Sequence, residues 1–566
     1  MDTKYDLAIV GLGPRGLYAL EQYYLRASQK STQDLPKTII FEEQEELGVG
    51  KAWSVNQPDA NWINIADRSL EPFPSRPAMR LKNQNFPEFP SYLDWLEEVM
   101  DHTVSDTKDV FHRRKIMGSY LTQRTASVLE PLQDLWIITI KRSKTTAIHK
   151  KNHQFYLATN ASEKFVAQKV VLALGHLQTA ISDQNQEFQN LAHKDGIHFS
   201  VHCYSKEAMD IYAFAKAISI KGLGLSMIDI LRMVLEHYKG NFERVDGSIF
   251  LKYKAAEEHP VLIPFSLDGL PSVPKPLGKH IDLMFSLDPK SQSELMKTLS
   301  VIRDTPDSDV AQLIEPIASE IATVYGNLKQ RHCDQNIEKA TLVKLIVDWL
   351  QDPTLSHDHI LDQDLPITNY MRKTCKMAVG AVPPSLDYVV GQTWRQLQGD
   401  LYNVFSHKTP APLLADFIKI DEQTKRYSYG PPVESILQLI ALEEAGILNF
   451  DFVIDPEIEL VDSGFQLSND TESVTTMAMI DAILSGPDIK EVTDPLVQQL
   501  QKDGLAQQVH EKLGFHVDQD ATHIVAGQRI EGLYSLGRIT KGSIYGVDAI
   551  LEAFNEEKVK WWRESV

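Results

Sequence analysis

Cysteine is scarce in this chain: Cys203, Cys333 and Cys375 are far apart and odd in number. No CxxC pair occurs, which removes dithiol redox chemistry and any four-cysteine zinc site. The 18 histidines show neither HExxH nor a comparable ligand spacing, so no metal site is expected. His357-Asp-His359 could chelate, but it falls in a polar stretch that reads as a loop. Positive charge is also short, with 57 Lys and Arg against 77 Asp and Glu and a formal net charge of −20. An acidic surface attracts neither nucleic acid nor an anionic membrane. No apolar run is long enough to cross a bilayer, and no basic-then-apolar leader precedes the first strand, so a cytoplasmic location is expected. Hydrophobic residues at 43% and charged residues at 24% describe a globular chain, and 566 residues exceed what one core accommodates.

What is present begins at the first strand. Asp6-Leu-Ala-Ile-Val10 runs into Gly11-Leu-Gly13-Pro14-Arg15-Gly16, and the apolar positions Leu17, Leu20 and Tyr24 lead away at helical spacing. In such a strand–GxGxxG–helix unit the first glycine permits the tight turn, the second admits a pyrophosphate, and the third lets helix and strand pack closely. The pyrophosphate then sits on the positive end of the helix. Thr38-Ile-Ile-Phe41 reads as the second parallel strand and ends in Glu42-Glu43. The interval from Gly16 to Glu42 exceeds the usual ~20 residues, and the polar stretch Ser28–Asp34 accounts for the excess as a longer loop. A carboxylate here bonds ribose hydroxyls and disfavours a 2′-phosphate, so FAD or NAD is expected at this first site, with Glu42 ahead of Glu43.

Farther along, Gly50-Lys-Ala-Trp53 opens a long irregular region that contains Asn61-Trp-Ile-Asn64 and runs to Pro90. Tyr92–Met100 and Arg113–Leu129 read as helices; Trp136–Ile140, Gln154–Ala158 and Phe165–Leu174 read as strands. A second glycine turn, Gly222-Leu-Gly224-Leu-Ser226, follows the strand Ala217–Ile220 and precedes the helix Met227–Tyr238. Ser248–Tyr253 reads as the next strand, and Lys252 and Lys254 at its end could pair with the 2′-phosphate of NADP or simply lie exposed. Helical patterns dominate from about 280 to 450: Ser291–Ile302, Asp309–Tyr325, Ile337–Leu350, Tyr388–Val404 and Ser435–Ala445. Strands at Thr522–Ala526 and Gly532–Leu536 lead into Gly537-Arg-Ile-Thr540-Lys-Gly542 and a closing helix, Val547–Phe554. The expected architecture is α/β: a Rossmann-like FAD-binding region (1–180), a second NAD(P)-binding-like region (181–280), a largely helical insertion (281–450) and a C-terminal return completing the first domain (451–566).

These motifs together resemble the two-dinucleotide-binding flavoproteins, the FAD/NAD(P)-binding family related to flavin-dependent N-hydroxylating monooxygenases and to enzymes that oxidise amino acids to nitrosuccinate. The resemblance is carried by Gly11–Gly16, Gly50–Trp53, Arg113-Arg114 before Met117-Gly-Ser-Tyr120, Ala173-Leu-Gly175-His176, Gly222–Asp229 and Gly532–Arg538, in that order along nearly the whole chain. It implies that Gly11, Gly13, Pro14, Arg15, Gly16 and Glu42 hold the FAD pyrophosphate and ribose, with Gly50, Trp53 and Asn64 on the flavin side. Gly175 would lie where the chain passes between the nucleotide domains. Gly222, Gly224 and Ser226 would receive NADPH or NADH, and Gly537, Thr540 and Gly542 would close over the flavin. Relatives often carry a Ser-Arg-Arg-Gly-like segment after the strand that follows the second glycine turn, where this chain has Lys252-Tyr-Lys254-Ala-Ala. Ala-Leu-Gly175 likewise replaces the more frequent Ala-Thr-Gly.

The cofactor carries the redox chemistry in such proteins, so no Ser-His-Asp constellation is required, and none stands out. Arg113, Arg114 and His176 are the polar groups most suspected near flavin or substrate, each with a structural salt bridge or helix-end contact as the alternative. The expected function is an NAD(P)H-dependent monooxygenase acting on a small polar molecule such as an amino acid. The alternatives are a reductase with an acceptor other than oxygen, or a non-catalytic protein that holds FAD and binds or senses a partner.

Overall fold

The computed structural model describes residues 4–30, 34–105, 108–192, 196–329, 337–406 and 408–554. Cys333 lies outside them. Two sheets organise the chain, the first mixed and the second parallel, each with an inner strand that runs into one of the two glycine turns.

The first sheet runs in spatial order Thr522–Val525, Gln528–Ser535, Lys164–Leu172, Lys4–Val10, Thr38–Phe41 and Ile138–Lys141. Lys4–Val10 sits centrally, parallel to both neighbours, with Ile9 opposite Ile40 on one side and Val171 on the other. Apolar residues on both faces are what a strand covered on both sides requires. Leu7 and Ile9 enter one core with Leu17, Leu20, Met117 and Leu121, while Ala8 and Val10 enter another with Ile39, Leu172 and Leu496. An antiparallel hairpin, Thr145–Lys151 with Gln154–Thr159, extends the sheet from the early part of Lys164–Leu172. The late part of that strand instead pairs with Leu533–Ser535, which brings the C-terminal segment into the first domain.

The second sheet has the order Val261–Phe265, Ala217–Lys221, Ala478–Asp481, His198–Ser200, all parallel. Two expectations change here. Leu251–Ala255 is not its next strand: it pairs antiparallel with Gly240–Arg244 in a separate hairpin, where Lys254 meets Glu243 at 2.6 Å. Val261–Phe265 takes the place beside the glycine turn, and the Gly222 N–H donates to the Phe265 carbonyl at 2.7 Å. The segment 451–566 is also not wholly a return to the first domain, because Ala478–Asp481 completes the second sheet. That four-residue strand is buried throughout and has no glycine turn to announce it.

The helical region contains the expected helices as Pro289–Asp304, Val310–Lys329, Lys339–Gln351, Leu386–Phe405 and Val433–Glu444, together with Ile367–Ala378 and Ala411–Ser428. It shares one continuous core with the second sheet, in which Ile218, Met227 and Leu231 join Leu313, Tyr388 and Leu439. The closing helix is reduced to a single 3₁₀ turn, Ile550–Glu552. The Val547 and Glu552 carbonyls accept from the Arg15 guanidinium, and the Ala549 N–H donates to the Glu552 side chain, so a longer helix does not start at Val547.

Candidate functional site

The first glycine turn is built for close approach. A Cβ on Gly11 would lie 2.4 Å from the Ala173 carbonyl oxygen, and one on Gly16 would lie 2.2 Å from the Gly11 carbonyl oxygen. Both contacts are impossible, so strand and helix need glycine at these two positions. Gly13 serves differently: it faces Gly50 across a slot in which a Cβ on either would come within 3.5 Å of the other's Cα. Gly13 also N-caps the helix Pro14–Gln29 with no side-chain cap, which leaves the helix amides open to an anion. Glu42 closes the turn, accepting from the Leu12 N–H at 2.8 Å and the Gln44 N–H at 3.0 Å.

The second turn repeats the arrangement. Gly222 is in the left-handed region (φ 119°), and Gly224 N-caps Leu225–Leu235 without a side-chain cap. A Cβ on Gly224 would meet nothing within 4 Å, so open space lies in front of that helix end.

One cavity of about 2360 Å³ is lined by both domains and reaches the second turn at Leu225 and Ser226. Lys51, Trp53, Asn64, Gly175, His176, Arg538 and Ile550 line it from the first domain, and Leu225, Ser226, Tyr204 and Lys221 from the second. The Trp53 loop is seated by Gly118, where a Cβ would lie 2.0 Å from the Trp53 carbonyl oxygen. Asn64 donates to the Tyr429 carbonyl at 3.1 Å, while its own buried Oδ1 has no partner. A buried acceptor without a donor, on the wall where the resemblance places the flavin, fits a ring that presents N–H groups. The uncapped helix ends, the Gly13–Gly50 slot and this orphaned oxygen make the residues present compatible with a bound dinucleotide.

The structure separates the two suspected arginines. Arg113 is half exposed and pairs with Asp59 at 3.2 Å, away from the cavity wall. Arg114 turns inward, donating to Asp229 at 2.6 Å and to the Trp62 carbonyl at 3.2 Å, and the Tyr204 hydroxyl donates to the same Asp229 oxygen at 2.6 Å. Burial opposes the charge on Arg114, but Asp229 and Tyr204 outweigh it and its pKa is raised. His176 opens onto the cavity; desolvation, then the Arg538 cation, lower its pKa and keep the ring neutral near pH 7. Arg15 is turned to the C-terminal carbonyls and lies beside Gly537. Arg538 and Ile539 line the cavity, whereas Thr540 and Gly542 are buried behind it, the Thr540 hydroxyl donating to the Gly537 carbonyl at 2.7 Å.

Several cavity residues escaped the sequence reading. Lys275 donates to the Asn64 carbonyl at 2.6 Å, and burial, followed by the nearby Arg395 cation, lowers its pKa to about 7. Arg68 bridges Asp109 at 2.6 Å and Asp282 at 2.8 Å. The prolines around Lys275, in Val273-Pro-Lys275-Pro276, are the one local sign that its backbone is fixed. Cys203 also lines the cavity, but burial pushes its thiol up to about 12, so it carries no thiolate at neutral pH.

Residues 8–177 match the protein family described as FAD-NAD(P)-binding. A nitrosuccinic acid synthase of Aspergillus oryzae is 22% identical over 556 residues, covering 89% of this chain and 82% of that protein. A nitrosuccinate-forming L-aspartate N-monooxygenase of Streptomyces davaonensis is 21% identical over 352 residues, covering 57% of this chain and 52% of that protein. Among solved structures, the L-lysine 6-monooxygenase of Pseudomonas syringae aligns over 97% of this chain and 96% of its own, at 11% identity and a TM-score of 0.44. No helix among the described residues is long and apolar enough to cross a membrane. With a family domain over the first glycine turn and N-monooxygenases as relatives, the chain is an FAD- and NAD(P)-binding flavoprotein oxidoreductase related to the flavin-dependent N-hydroxylating monooxygenases.

Proposed function

We propose that the protein hydroxylates the amino group of a small acidic amino acid, using NAD(P)H and dioxygen. The observation that carries this reading is one cavity lined by both domains, from Trp53 and Asn64 to Leu225 and Ser226, with Lys275 recessed in its wall. The balanced reaction takes R–NH2, O2, NAD(P)H and one proton to R–NHOH, H2O and NAD(P)+. One oxygen atom enters the new N–O bond and the other leaves as water. FAD, when bound, accepts the hydride and activates oxygen.

The chain's own residues have narrower tasks. Gly11, Gly13 and Gly16, with the helix amides, hold one pyrophosphate; Gly222 and Gly224 hold the other. Arg114, Asp229 and Tyr204 fix the second lobe against the first. Lys275 supplies a cation for a substrate carboxylate, and the neutral His176 ring can accept a proton at the cavity surface. The A. oryzae and S. davaonensis relatives, by their names, form nitrosuccinate, which supports an amino dicarboxylate as the substrate class. The same reading keeps the enzyme in the cytoplasm, where reduced nicotinamide nucleotide is supplied.

The test has two stages on the FAD-loaded protein. Anaerobic mixing with NADPH and then NADH should bleach the flavin absorbance with at least one of them. Aerobic turnover with L-aspartate should then consume oxygen and NAD(P)H one for one and give an N-hydroxylated product by mass spectrometry. Bleaching followed by peroxide alone, with every small amino acid tried, would assign the protein to reductases with another acceptor. No bleaching by either nucleotide would leave an FAD-holding binding protein.

A further inference from the structure

Behind the cavity wall, three side chains distant in sequence converge. Asp67 opens the 3₁₀ turn Asp67–Leu70 and is fully buried. Its Oδ1 accepts from the Arg68 N–H at 2.8 Å, and its Oδ2 meets His102 Nε2 at 2.8 Å. His102 is placed by the end of Tyr92–Met100, where Asp101 turns left-handed (φ 51°) and the His102 N–H donates back to the Leu96 carbonyl at 3.3 Å. His112 is 8% exposed and is held by its carbonyl, which accepts from the Ile63 N–H at 2.7 Å. The two imidazole rings stand 4.7 Å apart at 90°. One ligand atom from each of Asp67, His102 and His112 lies within 4.8 Å of the other two.

The second observation is an unmet need. His112 Nε2 is sealed from solvent and has no hydrogen-bond partner, and the hydroxyl of Tyr92, whose ring centroid lies 6.3 Å away, is likewise buried and unpartnered. Buried ring nitrogens are almost always satisfied, so an orphan beside a carboxylate–histidine pair marks a place for a further group.

We propose that Asp67, His102 and His112 hold one structural divalent transition-metal ion of the zinc class. Two imidazoles and a carboxylate suit Zn²⁺ and its neighbours and do not suit Mg²⁺ or Ca²⁺, which take oxygen ligands. Zn–N and Zn–O bonds near 2.1 Å require the trio to close up slightly. A water molecule or the Tyr92 hydroxyl completes the shell. The backbone N–H groups of Arg68 and Val110 on Asp67 Oδ1 serve as outer support, at 2.8 and 3.4 Å. The ion would tie the end of Tyr92–Met100, through His102, and the start of Arg114–Asp134, through His112, to Asp67. Arg68, next in sequence, carries the ion pairs to Asp109 and Asp282 in the cavity wall. No sequence signal announces the site, because its ligands come from three separate segments.

The FAD-loaded protein would be stripped with chelator, then titrated with Zn²⁺ against a chromogenic competitor and with Co²⁺ by visible absorption. One ion per chain is expected, with a Kd at or below ~1 μM, weakened at least about 100-fold in His112→Ala and in His102→Gln. Zn²⁺ should raise the thermal midpoint of the wild type and not of either variant. The double variant His357→Ala/His359→Ala controls for the other histidine pair, whose rings stack at 5.4 Å, and should bind as the wild type does. FAD content reports whether each variant is folded, and the second ligand variant serves where the first does not fold. Binding no tighter than ~0.1 mM, binding unchanged in both ligand variants, or binding lost in the control would each overturn the assignment. None of these readouts depends on turnover, so the metal site and the proposed reaction fail separately.

Discussion

Lys275 is a cation with no carboxylate at ion-pair distance among the described residues; its ammonium has only the Asn64 carbonyl at 2.6 Å. Burial, and after it the Arg395 cation, bring its pKa down to about 7 from an ordinary value of 10.5. Between those two values the unfolded chain holds a proton that the folded chain has released. Stability of the substrate-free protein should therefore rise as pH climbs from about 7 towards 10, by an amount on the order of a few kcal/mol. A substrate carboxylate reverses the bias, because it supplies the anion that Lys275 lacks. KM for an amino dicarboxylate should accordingly increase as pH passes 7, approaching tenfold per pH unit once the free lysine is mostly neutral. Lys275→Met should flatten both profiles. Thermal midpoints and KM values measured between about pH 6.5 and 9.5 check this, and a wild-type KM that stays level over the range would remove Lys275 from substrate binding.

Elements differ in how plainly the sequence announces them. Tyr92–Met100 is legible to the residue, since Ser91 caps it by accepting from the Asp94 N–H and Asp101 ends it in the left-handed region. The first glycine turn is legible because a central parallel strand must be apolar throughout and its glycines are sterically compelled. The second sheet is harder. Leu251-Lys-Tyr-Lys-Ala255 alternates as a strand should, yet that pattern belongs to an exposed hairpin. The strand beside the glycine turn, Val261-Leu-Ile-Pro-Phe265, carries a proline that argues against it in sequence. The residues following it are Ser266-Leu-Asp268-Gly269, with Asp268 paired to Arg426, and no arginine pair stands there. Lys252 and Lys254 thus lose their reason to meet a 2′-phosphate. The double variant Lys252→Ala/Lys254→Ala should bind NADPH and NADH within about twofold of wild type by flavin-reduction titration. A selective loss of NADPH would return those lysines to the nucleotide site.

At the scale of the whole molecule, two lobes must keep register across the cavity, and Arg114 with Asp229 is a buried tie between them. Arg114 belongs to Arg114–Asp134 of the first lobe and Asp229 to Leu225–Leu235 of the second, with side chains 20% and 5% exposed. Removing the charge of Asp229 leaves a guanidinium recessed without its anion, which costs far more than breaking a surface pair. The exposed pair Arg113–Asp59, one residue away, is the natural comparison. Asp229→Asn should lower stability by about 2 kcal/mol, the usual figure for a buried pair reduced for the partial exposure of Arg114. Arg113→Ala should stay within about 0.5 kcal/mol. Neither variant touches the Gly11–Gly16 turn, so both should retain FAD. Asp229→Asn should nevertheless slow NAD(P)H-driven flavin bleaching several-fold, because hydride transfer depends on how the second lobe presents its nucleotide to the first. Denaturation curves, FAD content and anaerobic bleaching rates measured side by side separate the effects. Unchanged bleaching in a destabilised Asp229→Asn protein would make the tie purely structural.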